Sequence, residues 1–217
     1  MTLPILLPLK YVNYSKSRLN DVLGENKKSL VIALLEDIIY LLKKYPEIEI
    51  YLLTKKENID LLPQKLQVNF LFEDENDLNG ALERGISSLR EKYESILILP
   101  LDLPFINEVD IESILSISKE KYGAISPSSR GGTSALLIPL NSCFKIQFGE
   151  NSFNKHLSEF EKMGVPFKVY NSDTLFYDLD TPEDIMRVLV VRPDTKAHNL
   201  LKNVIPPKDN YSILIDK

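Results

Sequence analysis

The chain has 217 residues, 44% hydrophobic and 26% charged, which excludes a disordered or fibrous protein and allows one full α/β domain with a short appendage. Lys and Arg number 26 against 31 Asp and Glu, a net charge of −5, which argues against bulk binding to nucleic acid or an anionic membrane. A single cysteine, Cys143, rules out an intramolecular disulfide framework and a cysteine-based zinc cluster, and fits a reducing, cytoplasmic setting.

The first apolar run, Leu3–Leu9, is too short to span a membrane and lacks a basic leader or a small-residue cleavage site, so it reads as a strand buried on both faces. Asn26–Lys44 has a helical apolar period without Gly or Pro, and Pro46 closes it. Ile48–Thr54, Val68–Phe72 and Ser95–Pro100 are strand-like, and Asp77–Arg90 and Glu108–Lys119 are helix-like. This alternation predicts an α/β fold with a doubly wound, mostly parallel sheet whose ligands bind beyond the carboxyl ends of the strands.

After Gly123 the pattern becomes mixed: Ala124–Pro127, Ser134–Pro139, Phe167–Tyr170 and Leu175–Leu179 read as strands around a helix over Ser152–Met163. Thr181-Pro182-Glu183-Asp184 is a compact helix start, with Thr as N-cap and acids in the first turn, running to about Val191. The expected domain is therefore 1–191. Residues 192–217 read as an extended tail in which Tyr211–Ile215 is suited to add an edge strand or close a homodimer.

Five places have the chemistry of a site. Lys10, Lys16 and Arg18 bring three cations after the first strand, where phosphates bind in such sheets, or else form a solvated loop. Asp102, between Pro100 and Pro104, is a rigid strand-end carboxylate or a turn residue. Asp178 and Asp180 alternate and so share a strand face, where like charges need a cation; the plainer reading makes Asp180 a helix cap. Three such acids offer hard oxygens suited to Mg²⁺. Arg130-Gly131-Gly132-Thr133-Ser134 is either a turn or a ligand loop, and Gly149 to His156 opens a helix whose N–H groups attract anions. Ser152 can be simply a cap; His156, one turn on, either faces the same ligand or is structural. His198 and Cys143 read as structural. No Walker or Rossmann glycine fingerprint is present.

Taken in order, LPLK…SKSRL, LNGAL, LPLDLP, GGTSALL, FGENSFNKH and DLDTPEDI resemble the 2-phospho-L-lactate guanylyltransferase family of coenzyme F420 biosynthesis, from Leu6 to about Val190. The resemblance implies a nucleotidyltransferase fold and an enzyme that couples GTP to phospholactate or phosphoenolpyruvate and releases pyrophosphate. It implies that Asp102, Asp178 and Asp180 hold divalent metal and that Thr133, Gly149 and Ser152 hold the phosphorylated acid, with His156 near them. Lys10, Lys16 and Arg18 would meet the triphosphate, with Asn79 near the nucleotide; Lys16, Arg18 and Asp102 are the expected catalytic groups. A phosphomonoester with a second pKa of about 6 is already a nucleophile at neutral pH, so charge compensation and in-line positioning, rather than a general base, are what such a site must supply. Two other readings stay open on the residues alone: a nucleotidyltransferase for a sugar phosphate or molybdopterin, and a non-catalytic nucleotide-binding module.

Overall fold

A computed structural model describes residues 2–9, 17–64, 66–74, 77–191 and 194–205. Its strands are β1 (Leu3–Leu9), β2 (Ile48–Thr54), β3 (Asn69–Phe72), β4 (Ser95–Ile98), β5 (Gly123–Pro127), β6 (Thr133–Pro139) and β7 (Phe167–Val169). Its helices are α1 (Asn20–Leu23), α2 (Asn26–Leu42), α3 (Leu78–Leu89), α4 (Glu108–Lys119), α5 (Ser152–Met163), α6 (Asp173–Phe176), α7 (Pro182–Val191) and α8 (Lys196–Val204). The strands form one sheet in the order β3-β2-β1-β4-β6-β5-β7. β1 pairs in parallel with β2 and β4, β2 with β3, and β5 with β7, while β6 runs antiparallel to both neighbours.

Two prolines in the central strand β1 are tolerated because of where their missing donors point. Leu6 accepts at its carbonyl from Leu99 N–H on the β4 side, and Pro4 and Pro8 share its parity, so their absent N–H groups face β4 as well. Pairing there is short, covering Ile5 and Leu6 opposite Leu97 and Ile98, whereas the pairing with β2 runs the full length of β1.

Alternation then sends the two faces of β1 into two cores. Leu3, Ile5, Leu7 and Leu9 pack with Val31, Leu35 and Ile38 of α2 and with Ile111, Ile114 and Leu115 of α4. Leu6 packs on the other face with Ala81, Leu82 and Ile86 of α3 and Phe160 of α5. The result is a sheet between two helical layers, the expected doubly wound mixed α/β architecture. A third cluster joins Leu30 and Leu34 of α2 to Ile185 and Val188 of α7 and Ala197 and Leu201 of α8.

That third cluster corrects the reading of the tail. Residues 196–204 are helical: Thr195 caps α8 by accepting from His198 N–H at 3.1 Å, and Asp37 of α2 accepts from the N–H groups of Lys196 and Ala197, each at 2.9 Å. The folded unit therefore runs at least to Val204, past the expected boundary at 191. The Tyr211–Ile215 patch lies outside the described residues. A second correction concerns Leu175–Leu179, which is not a strand. Ser172 Oγ accepts from Leu175 N–H and starts α6, after which Tyr177–Asp180 runs on with no strand partner. No described helix is long and apolar enough to cross a membrane.

Candidate active site

Because β6 runs against β4, with Ile98 opposite Leu136, its amino end opens on the same sheet edge as the carboxyl ends of β1 and β4. Three further pieces meet there. The β5–β6 loop carries Ser128 to Gly132 and β6 opens with Thr133, the segment after β4 carries Asp102, and the segment after α6 carries Asp178 and Asp180. Leu179 N–H donates to the Asp102 carbonyl at 2.9 Å, and Ser129 N–H donates to the Phe176 carbonyl at 2.7 Å. Asp110, buried in the first turn of α4, anchors the approach to this segment. It accepts from Ser172 Oγ at 2.5 Å, Thr174 Oγ1 at 2.6 Å, Tyr170 Oη at 3.2 Å and Asn107 N–H at 3.0 Å. Asn107 closes a capping box with it.

Asp178 lies near enough to Asp102 and Asp180 to feel the charge of both, and it stands on an extended segment rather than the expected strand. Burial foremost, then the charge of Asp102 and more weakly that of Asp180, pushes the Asp178 carboxyl above its usual range, against the pull of Ser129 and Arg130. Ser129 Oγ donates to Asp178 Oδ1 at 3.0 Å, and Arg130 Nη1 donates to the same oxygen at 2.5 Å. Arg130 Nη2 donates to Asp184 Oδ2 at 2.6 Å, an oxygen that also receives Asp180 N–H, Thr181 N–H and Thr181 Oγ1. Burial alone would raise the Asp184 pKa, but these donors together hold it below the usual carboxylate range. The start of α7 is thus stabilised from its third residue, to which the Thr181 hydroxyl donates a hydrogen bond at 3.0 Å.

Asp102, Asp178 and Asp180 are hard oxygen donors of the kind Mg²⁺ takes. Among the described residues, no three His, Cys, Asp or Glu side chains are gathered tightly enough to hold a metal ion by themselves. The expected three-aspartate cage is therefore not preformed among the described residues.

Beside the acids lies a buried hydroxyl cluster. Ser152 Oγ donates to Thr133 Oγ1 at 3.2 Å, and Thr133 Oγ1 lies 2.9 Å from His156 Nδ1. Gln147 N–H donates to His156 Nε2 at 2.9 Å. The glycines here answer to space and backbone angle. A Cβ on Gly132 would stand 2.7 Å from Ser128 Oγ, and Gly149 has φ +123°. Asn79, on α3, donates Nδ2 to the Phe148 carbonyl at 3.1 Å and accepts from Phe148 N–H at 2.8 Å, which fixes the turn that presents Gly149.

Two expectations change here. His156 has no exposed surface and both ring nitrogens are engaged by the protein, so it does not face a ligand but stands behind Thr133. The helix entry is less open than predicted, since Ser152 N–H donates to the Gly149 carbonyl and Phe153 N–H to the Gly131 carbonyl. Asn151 takes the cap position in a left-handed conformation, and Ser152 is the first helical residue. Arg18 is exposed in the 3-10 turn Ser17–Leu19 that precedes α1, while Lys10 and Lys16 lie outside the described residues. Sequence reasoning missed the pairing of Arg130 with Asp178 and Asp184. Its one signal was an arginine abutting the glycine pair, and no local pattern names its distant partners.

Fold and site together define a nucleotidyltransferase: a mostly parallel sheet with carboxylates and hydroxyls gathered beyond its strand ends. The fold is shared with a solved chain from Desulfovibrio desulfuricans G20 that bears a provisional nucleotide-diphospho-sugar transferase name, at TM-score 0.78 and 17% identity over 94% of this chain and 95% of that one. The chain belongs to the family described as Guanylyl transferase CofC like, which matches residues 3–206. It is 31% identical over 202 residues to the 2-phospho-L-lactate guanylyltransferase of Methanocaldococcus jannaschii, covering 92% of this chain and 88% of the relative. It is 30% identical over 195 residues to the phosphoenolpyruvate guanylyltransferase of Thermobaculum terrenum, covering 88% and 85%.

Proposed function

We propose that this enzyme transfers the GMP moiety of GTP to a small phosphorylated carboxylic acid, 2-phospho-L-lactate or phosphoenolpyruvate, and releases pyrophosphate, as a step of coenzyme F420 biosynthesis. The observation that supports this most is the meeting of Asp102, Asp178 and Asp180 beside the Thr133–Ser152 hydroxyls at one sheet edge. Both halves of the reaction need that edge, because a dianionic acceptor must approach an α-phosphorus already surrounded by negative charge.

In this reading Asp102, Asp178 and Asp180 would hold Mg²⁺, which when bound supplies positive charge to the reacting phosphates. Lys10, Lys16 and Arg18 would meet the triphosphate, the leaving pyrophosphate included. Thr133, Ser152 and the turn at Gly149 would orient the acid. The acceptor phosphate needs no proton removed at neutral pH, so the chain's task is alignment and charge compensation. Asn79 would act near the nucleotide chiefly through the Phe148 turn it fixes. The lone cysteine and ordinary charge fit a cytoplasmic setting, and the tail's Tyr211–Ile215 would close a homodimer. Light scattering with and without residues 206–217 checks this last point, and an unchanged mass removes it.

The deciding experiment mixes protein, GTP and Mg²⁺ with both acids at once and resolves the products by mass spectrometry. One guanylylated acid and stoichiometric pyrophosphate are expected, with turnover abolished by a chelator and restored by Mg²⁺. No product with either acid would overturn the proposal.

A further inference from the structure

Resting on that reading, we propose that His156 is a positioning residue for acceptor recognition: it fills an acceptor position on Thr133 and so obliges the Thr133 hydroxyl to donate its own proton outward, to an anionic oxygen of the phosphorylated acid.

The hydrogen positions in this cluster are set by its fixed donors. Gln147 N–H donates to His156 Nε2 at 2.9 Å, so that nitrogen carries the lone pair and, in the neutral ring, Nδ1 carries the hydrogen. Nδ1–H therefore donates to Thr133 Oγ1 at 2.9 Å. Ser152 Oγ donates to the same oxygen at 3.2 Å. A hydroxyl oxygen has two lone pairs and one proton. With both lone pairs taken, Thr133 has only its proton to offer, and no described neighbour accepts it. The ring is kept neutral by its surroundings. It lies edge-on to Phe148, with centroids 5.0 Å apart, and 5.9 Å from Phe144, with no exposed surface. Burial first, with a smaller push from the Lys155 charge, brings its pKa down to about 4.

A fixed donor suits a phosphate or carboxylate oxygen, which can only accept, and disfavours a ligand group that must itself donate there. His156 thereby sets the polarity of the pocket without touching the ligand. The alternative tautomer would leave Gln147 N–H facing another N–H and free Thr133 to accept.

Two measurements test this. The chain has 2 histidines, so ¹⁵N NMR of labelled protein at pH 7, assigned with His198→Gln, should show His156 neutral with Nδ1 protonated. An Nε2-protonated ring or an imidazolium would overturn the proposal. In steady-state kinetics, His156→Gln removes the donor to Thr133 and should raise the KM for the acid at least tenfold while the KM for GTP stays within twofold. His156→Asn, whose amide N–H can stand near the Nδ1 position, should recover most of that loss. In a Thr133→Val background His156→Gln should add no further loss, since its effect passes through Thr133. Independent, multiplicative losses, or an equal rise in both KM values, would overturn it. A wild-type chain inactive with every phospho-acid would overturn the acceptor assignment together with the proposed function; a normal wild type with independent losses overturns this inference alone.

Discussion

Asp178, partly buried, and His156, fully buried, respond to pH in opposite senses. Asp178 is raised above its ordinary 3.8 by burial and its acidic neighbours, so its folded-state charge opposes folding. Its stability contribution is greatest in acid and is lost as pH rises through the raised value. Asp178→Asn should therefore match the wild type below about pH 4 and equal or exceed its thermal midpoint at pH 7, while turnover falls by orders of magnitude. Calorimetry across pH together with the pyrophosphate assay checks both halves. A variant clearly less stable at pH 7 would remove the idea that this carboxylate is kept for function at the expense of the fold.

His156, lowered from 6.5 to about 4 mainly by burial, contributes stability that is fully present above pH 6.5 and lost as pH falls toward 4, on the order of 3 kcal/mol in all. Denaturant titrations at pH 7, 5.5 and 4 should show this slope in the wild type and a shallower one in His156→Asn. At this scale the sequence exposed much of the site. Asp102, Thr133 and Ser152 stand where a strand ends or a helix begins, and such positions can be located from local pattern. Arg130 with Asp184 could not be found that way, because an ion pair between residues 130 and 184 leaves no periodic trace.

At the scale of elements, legibility followed how local the stabilising contacts are. α4 was readable to the residue, Glu108–Lys119, because Asn107 and Asp110 cap it within one turn. Leu175–Leu179 was misread because Leu175, Tyr177 and Leu179 alternate like a strand, while Ser172 starts a helical turn there. α8 was missed although Ala197, Leu200, Leu201 and Val204 have helical spacing; the scattered Lys and Pro around them hid a face that α2 and α7 complete. Leu201→Ala, at a site with no exposed surface, should cost about 2–5 kcal/mol, and cutting the chain after Val191 should cost more, both read by denaturant unfolding. An α8 that can be removed without loss would contradict its place in the core.

Asp110 is the element-scale device that matters most to the site, since it secures the segment leading to Asp178 through side-chain donors from Tyr170, Ser172 and Thr174. Asp110→Ala should strip these hydroxyls of their shared acceptor, leaving Ser172 and Thr174 bonded to each other, and destabilise the protein by about 2–4 kcal/mol. It should also lower kcat more than either KM, because the aspartate segment loses its footing. Proton exchange at 172–180 would quicken before the rest of the sheet, and uniform protection there would speak against the assignment.

In the proposed reading, at the scale of the whole molecule, the edge would divide between two substrates. The β4 side carries Asp102, and the β5–β6–α5 side carries Thr133, Ser152 and Gly149. Kinetic variants should sort accordingly. Arg18→Ala should raise the KM for GTP about tenfold with the acid KM unchanged, Thr133→Val the reverse, and Asp102→Asn should lower kcat with both KM values near wild type. Each effect corresponds to about 1–3 kcal/mol for a charged or oriented hydrogen bond to substrate. Variants on the two sides should combine independently.

The reversed direction of β6 allows this division. A parallel strand in its place would direct its amino end, and Thr133 with it, to the far rim. Running backwards, β6 instead carries Thr133 to the rim that holds Asp102, and the hairpin before it, Ser128 to Gly132, holds Asp178 through Ser129 and Arg130. Grafting the turn from Gly149 to Ser152 between relatives, with that hairpin left in place, should swap acid preference while leaving the choice of base untouched, so the sheet works as a fixed chassis with one interchangeable tool.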